Sequence, residues 1–334
     1  MQRTTGRTGR RVAAAASALL LGAVAIAPHV ARADEGGVSF WIPGFFGSLA
    51  AVPPTPGWSV ATIYYHTSTD AGRNLQFPRG GAIVAGLVAD ADLGFVSPSY
   101  TFERPVLWGG YATLSVLAGY GHLDASVDVA LTGPLGRTVS LSRTDDRTGF
   151  ADVPLFGKLN WNAGVHNYML YTALNIPNGT FERRLANLSI GHWASDSGVG
   201  YTYLNPKTGW ELSAVLGFTY NWENHDIDYR NGLDMHLDWA ASKFVTKQLQ
   251  IGIVGYAYQQ VTGDSGAGAV LGSFESRVFG VGPQIGYSFP LDNNYQGYVN
   301  LKGYWEFESD NRPEGWNTWL TFSISPKPPQ QVMK

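Results

Sequence analysis

Asp234, His236 and Asp238 alternate along one short run, and this spacing is the first chemistry the chain offers. Successive side chains of an extended strand leave on opposite faces, so these three ionisable groups share one face and Met235, Leu237 and Trp239 the other. Two carboxylates around one imidazole could hold a metal, but a single strand face brings no converging fourth ligand, and a hydrogen-bonded cluster is the expectation. Two further strings have a catalytic look. Gly263-Asp264-Ser265-Gly266 matches the sequence around a serine-protease nucleophile but sits in a glycine-rich loop, and His66-Thr67-Ser68 sets a base two residues from a nucleophile. Nucleophilic catalysis also needs a group that orients the base and a nearby oxyanion site, and the sequence locates neither. The expectation is therefore a protein that is not an enzyme, with no catalytic residues, no metal and no cofactor.

The elements that would carry these residues are strands. Over residues 210–222 the even positions are Trp210, Leu212, Ala214, Leu216, Phe218, Tyr220 and Trp222, and the odd ones are Glu211, Ser213, Val215, Gly217, Thr219 and Asn221. Twelve steps of ~3.3 Å make a strand of roughly 40 Å; tilted by about 45° it rises roughly 28 Å, close to the ~25 Å apolar band of a membrane barrel. Its apolar face begins and ends on aromatics with polar tips, as a face in contact with lipid does.

The same segregation recurs in residues 83–101, 233–243, 248–262 and 295–307. Charge on the lipid face costs ~2–4 kcal/mol near mid-membrane, which assigns the polar faces to the lumen. The expected lumen lining is Asp90, Asp92, Asp152, Lys158, Glu211, Asp234, His236, Asp238, Lys302 and Glu306. Such a set could line a passage or fill a barrel with salt bridges.

Twelve strands are expected, at 58–66, 83–101, 110–122, 149–161, 167–176, 197–204, 210–222, 233–243, 248–262, 277–289, 295–307 and 316–325. The first and fifth segregate too poorly for their faces to be assigned. Connectors alternate between short turns and longer, more charged loops such as 123–148, which predicts an all-β, transmembrane, antiparallel up-and-down barrel with the short turns on the periplasmic side.

The termini are different. Arg3, Arg7, Arg10 and Arg11, an apolar run over 12–27 and Ala31-Arg32-Ala33 together read as an export signal, residues 1–33. Its removal takes five arginines and leaves 18 basic residues against 26 acidic, a net charge of −8. The mature chain has no basic stripe, so nucleic acid is not an expected partner. Without a single cysteine, and with 41 glycines and only 15% charged residues, it suits many strands, tight turns and a lipid neighbour. Residues 34–57 are apolar and aromatic without strand or helix period; they read as a plug-like segment carrying Phe40, Trp41, Phe45 and Phe46, or alternatively as a periplasmic leader. Residues 58–325 form the barrel and 326–334 a proline-rich tail.

Four stretches stand out: Ser39-Phe40-Trp41-Ile42-Pro43-Gly44 with Gly47-Ser48-Leu49-Ala50-Ala51, residues 149–161 with Asp152 and Pro154, Ile176-Pro177-Asn178-Gly179, and Tyr203-Leu204-Asn205-Pro206-Lys207-Thr208-Gly209-Trp210-Glu211-Leu212-Ser213. In these the chain resembles an outer-membrane barrel family named for the meta-pathway of phenol degradation. The resemblance implies a relative of channels for hydrophobic compounds whose N-terminal segment plugs the lumen. It implies passive diffusion of small hydrophobic or aromatic solutes, an outer-membrane location, and outer-membrane lipid and the barrel assembly machinery as partners. A surface-interaction barrel without a passage and an envelope-lipid hydrolase are the alternatives. The chain departs from such barrels at its end, where Phe322 is followed by Ser323-Ile324-Ser325 and the tail instead of closing on an aromatic.

Overall fold

A computed structural model describes residues 39–72, 76–79, 82–132, 138–269, 272–273 and 275–328. The expected export signal, residues 34–38 and residues 329–334 lie outside them. Among the described residues no helix is long and apolar enough to cross a membrane. Strands do the crossing: β1 (Gly57–Asp70), β4 (Leu87–Thr101), β5 (Tyr111–Val116), β6 (Ala118–Thr132), β7 (Thr138–Phe150), β8 (Val153–Ala163), β9 (His166–Ile176), β10 (Ala194–Leu204), β11 (Trp210–Asn221), β12 (Asp234–Phe244), β13 (Leu249–Gln260), β14 (Arg277–Pro290), β15 (Tyr295–Asp310) and β16 (Glu314–Pro326). A small hairpin, β2 (Gln76–Arg79) and β3 (Ala82–Ala85), lies in the connection from β1 to β4.

Each strand pairs antiparallel with its neighbours, and β1 pairs with both β16 and β4, so the sheet closes on itself. β5 with β6, and β7 with β8, are single crossings broken at Leu117 and at Ala151 and Asp152, which leaves twelve crossings, as expected. The two breaks lie side by side: Leu117 N donates to Pro154 O at 3.0 Å and Ala151 N to Gly119 O at 3.0 Å. Closure removes the free edges that an open sheet of this size would expose.

The faces of β11 segregate as its sequence demands. Glu211, Val215, Thr219 and Asn221 are buried while Trp210, Leu212, Leu216 and Phe218 are exposed on the outside. Leu170, Val199, Ile253, Ile285, Leu301 and Leu320 continue that outward apolar band on other strands. A water-exposed surface of that extent would be unfavourable, whereas hydrocarbon tolerates it. The two unassigned strands resolve: in β1 Tyr65 points in and Trp58 and Tyr64 out, and in β9 Met169, Tyr171 and Ala173 point in and Tyr168, Leu170 and Leu174 out.

Two expectations are corrected. Asp90 and Asp92 of β4 are exposed, and Leu87, Ala91 and Phe95 are the buried side. Measured from the short-turn end of the strand, and tilted by about 45°, the acids stand ~25 and ~21 Å up, at the edge of the ~25 Å apolar band, where charge costs only ~0–1 kcal/mol. The second correction concerns residues 123–148, which are mostly strand and not loop. β6 and β7 continue beyond the wall as a hairpin in register to Thr132 and Thr138. Leu123, Ala125 and Val127 of its inner face pack with Leu87, Leu185 and Ala186. The free edge of β7 is covered by the connection from β9 to β10, where Asp145 accepts hydrogen bonds from Ala186 N (3.0 Å) and Arg184 Nε (2.9 Å).

Candidate functional site

The described part of the N-terminal segment, residues 39–56, runs inside the barrel, and the wall holds it mainly by its backbone. Ser39 Oγ donates to Asp234 (2.9 Å), Gly44 N to Asp238 (2.8 Å), and Ser48 Oγ and Leu49 N to the two oxygens of Glu211 (2.8 and 3.0 Å). Deeper toward the short turns, Ala51 N donates to Thr202 Oγ1 (3.1 Å) and Asn160 Nδ2 to Ala51 O (3.1 Å). The carbonyls at the bend take one cation: Lys302 Nζ reaches Gly44 O at 2.6 Å and Phe45 O and Phe46 O at 3.3 Å. Acids thus receive the N–H groups and a lysine the C=O groups of a turn that has no regular structure to satisfy them.

Glycine is required at position 44. Its φ is +85°, and a Cβ there would lie 2.9 Å from the Tyr304 ring. The aromatics of the segment dock as a set. Trp41 stacks on His236 with centroids 4.0 Å apart and planes 11° apart, and Phe45 stacks on Phe156 at 5.5 Å. Beneath Trp41, His236 Nε2 lies 3.0 Å from Asp196 Oδ2 and 3.2 Å from the Tyr171 hydroxyl. That approach depends on Gly217, where a Cβ would lie 2.0 Å from the Tyr171 hydroxyl.

Opposite the anchors a chamber of about 260 Å³ remains. Phe40, Ile42 and Phe45 of the segment form one side of it, and Leu87, Ala91 and Leu93 of β4 another. An apolar cavity of roughly 150 Å³ is enough to take up benzene, so this volume has room for a substituted ring.

Eight of the ten expected lining residues point inward. Glu211, Asp234, Asp238 and Lys302 anchor the segment and His236 supports Trp41. Lys158 Nζ stands 4.9 Å from the Phe46 ring centroid, Glu306 accepts from the Tyr256 hydroxyl at 2.7 Å, and Asp152 accepts from Asn175, Gly179 N and Ile190 N at 3.0 to 3.1 Å. Of the expected plug aromatics, Trp41 and Phe46 are buried, and Phe40 and Phe45 pack partly buried against them. Sequence reasoning missed Asp196, one residue before the assigned strand start, and Arg312, which was assigned to a loop.

The two catalytic-looking strings do other work. Asp264 accepts from Gly232 N (3.0 Å) and Gln260 Nε2 (2.6 Å) and pins a loop. His66 Nδ1 lies 2.8 Å from Asp92 and its ring packs on Trp316, and among the described residues it makes no hydrogen bond to Ser68.

Solved structures share this architecture. The COG4313 outer membrane channel of Pseudomonas putida F1 superposes with a TM-score of 0.62 over 82% of this chain and 96% of its own, at 14% identity. A FadL homologue of Pseudomonas aeruginosa superposes with a TM-score of only 0.36, over 80% of this chain and 89% of its own, at 12% identity. The first establishes an outer-membrane type of barrel; the second is too loose to add to it. No curated protein sequence matches the chain. The family model described as "Putative MetA-pathway of phenol degradation" matches residues 72–322, well over half of the sequence, and the chain belongs to that family.

Proposed function

We propose that the barrel is a passive channel for small hydrophobic or aromatic molecules, with the N-terminal segment as its constriction. The observation that carries this reading is the chamber of about 260 Å³ between the segment and β4, lined mainly by apolar side chains with a few polar groups and large enough for one ring. Family membership and the channel described for the similar fold agree with it. The COG4313 structure of similar fold is that of an outer membrane channel. In this reading residues 1–33 direct export, the short turns face the periplasm, 34–57 form the plug and 58–325 the barrel. The assembly machinery inserts it into outer-membrane lipid, with the tail 326–334 dispensable.

The test is uptake into liposomes. The reconstituted mature chain is expected to admit phenol-sized aromatics faster than empty vesicles do, and a variant lacking 39–56 faster still. Uptake equal to that of empty vesicles rejects the channel. One observation favours the second reading, a filled barrel without passage: the segment is tied to buried side chains of β10, β11, β12 and β15 along most of its length. That reading predicts no conductance in planar bilayers from either form.

A further inference from the structure

The polar groups that line the chamber are engaged by internal partners, with one exception. Glu306 accepts from the Tyr256 hydroxyl (2.7 Å) and from Gly315 N (2.9 Å), and Asn317 donates to Tyr256 and accepts from Trp319 Nε1 (3.2 Å). Asp152 takes three donors, and Asn187 bridges Glu182 and Arg184. Arg312, in the turn between β15 and β16, also lines the chamber. Its guanidinium carbon stands 5.0 Å from the Tyr258 ring centroid, its Nε is buried without a hydrogen-bond partner, and among the described residues it makes no ion pair. Arg277, whose Nε is likewise without a partner, differs in that its terminal nitrogen pairs with Asp310.

The chamber's own acids, Glu306 and Asp152, are committed to other donors, so among the described residues the guanidinium keeps unmet hydrogen-bonding capacity at a largely apolar cavity, which is unfavourable unless something else supplies an acceptor. The ring beneath it offers only the weaker cation–π attraction. Its planar fork fits a carboxylate through two parallel hydrogen bonds. Further along the lumen Lys158 is held against Phe46 and, among the described residues, makes no ion pair.

Resting on the channel reading, we infer that the chamber selects small aromatic monocarboxylates, with the ring against the apolar wall and Arg312 receiving the carboxylate as the specificity-determining residue. The chamber then discriminates between molecules of one size by charge.

Benzoate and benzyl alcohol, alike in size and unlike in charge, test this by calorimetric titration of the detergent-solubilised full mature barrel at low ionic strength. Benzoate is expected to bind at least about tenfold tighter than the alcohol, with salt eroding the difference. Arg312→Gln is expected to remove the advantage of benzoate and bring the two to parity, and Arg312→Lys to keep part of the preference. Equal affinities in the wild type overturn the inference without any variant. So does a preference that survives Arg312→Gln, or one that vanishes in Lys158→Met instead. Binding in detergent is independent of passage. Preferential binding with no liposome uptake would reject the channel and keep the subsite, whereas uptake of neutral aromatics with no preference for benzoate would do the reverse.

Discussion

The wall from β10 to β15 and the wall from β1 to β8 face the same lumen with opposite chemistry. The first presents Thr202, Glu211, Asp234, Asp238 and Lys302, and every one of them holds a backbone or hydroxyl group of the segment. The second presents Tyr65, Leu87, Ala91, Phe95 and Phe156 and, apart from Asn160, leaves the segment to packing contacts. One half of the barrel is thus a clamp and the other a container. The division explains how a barrel this narrow can be both obstructed and hollow: the obstruction is fixed to one side.

What the two walls share is their outward face, so the largest effect should come from there. Leu216→Arg, on β11, puts a guanidinium into hydrocarbon at a cost of ~2–4 kcal/mol and is expected to abolish the heat-modifiable folded species on semi-native gels. Next comes the clamp. Lys302→Met removes a charged donor from three carbonyls, ~1.5–3 kcal/mol, which should raise the frequency of open events in planar bilayers roughly 10- to 100-fold.

Gly44→Ala is expected to act in the same direction more weakly, since a left-handed residue with a Cβ costs roughly 1–2 kcal/mol. The container answers to a different change. Ala91→Phe should fill space beside β4 and slow aromatic uptake severalfold while leaving the open frequency of the clamp unchanged; a change in both would erase the distinction drawn here.

The smallest effect lies above the membrane, at the cover of β7. Arg184 beside Asp145 holds its carboxyl down at about 2. Because the folded value is depressed, the stabilisation is complete above the ordinary carboxylate value of ~3.9 and is lost as pH falls from there through about 2. Limited proteolysis of residues 177–193 by an acid-active protease should accelerate across that window, and Asp145→Asn should already be cleaved fast at its upper end, at pH ~4.

The clamp was legible in the sequence and the container was not, for one reason. On β11 and β12 the outward neighbour is lipid and the inward neighbour is a polar anchor network, so alternation of residue type reveals the faces. On β4 both neighbours are apolar, lipid outside and the chamber inside, and Asp90 and Asp92 point outward at the rim where charge is tolerated. Alternation there shows that two faces exist without showing which is which. The hairpin of β6 and β7 hid behind its charges: Asp124, Asp146 and their neighbours look like loop, although Leu123, Ala125 and Val127 keep strict period two. The role inferred for Arg312 carries no pattern at all, because it depends on which groups stand around the guanidinium among the described residues, and only three dimensions disclose that.

Every side chain that clamps the segment, from Asn160 to Lys302, is encoded after it. The segment is therefore made before its berth exists, and β1, which follows it directly, must zip to β16 before the cylinder is complete. Where the β1–β16 seam closes last, the barrel finishes around an occupant already threaded, and that seam also decides whether the occupant is trapped inside.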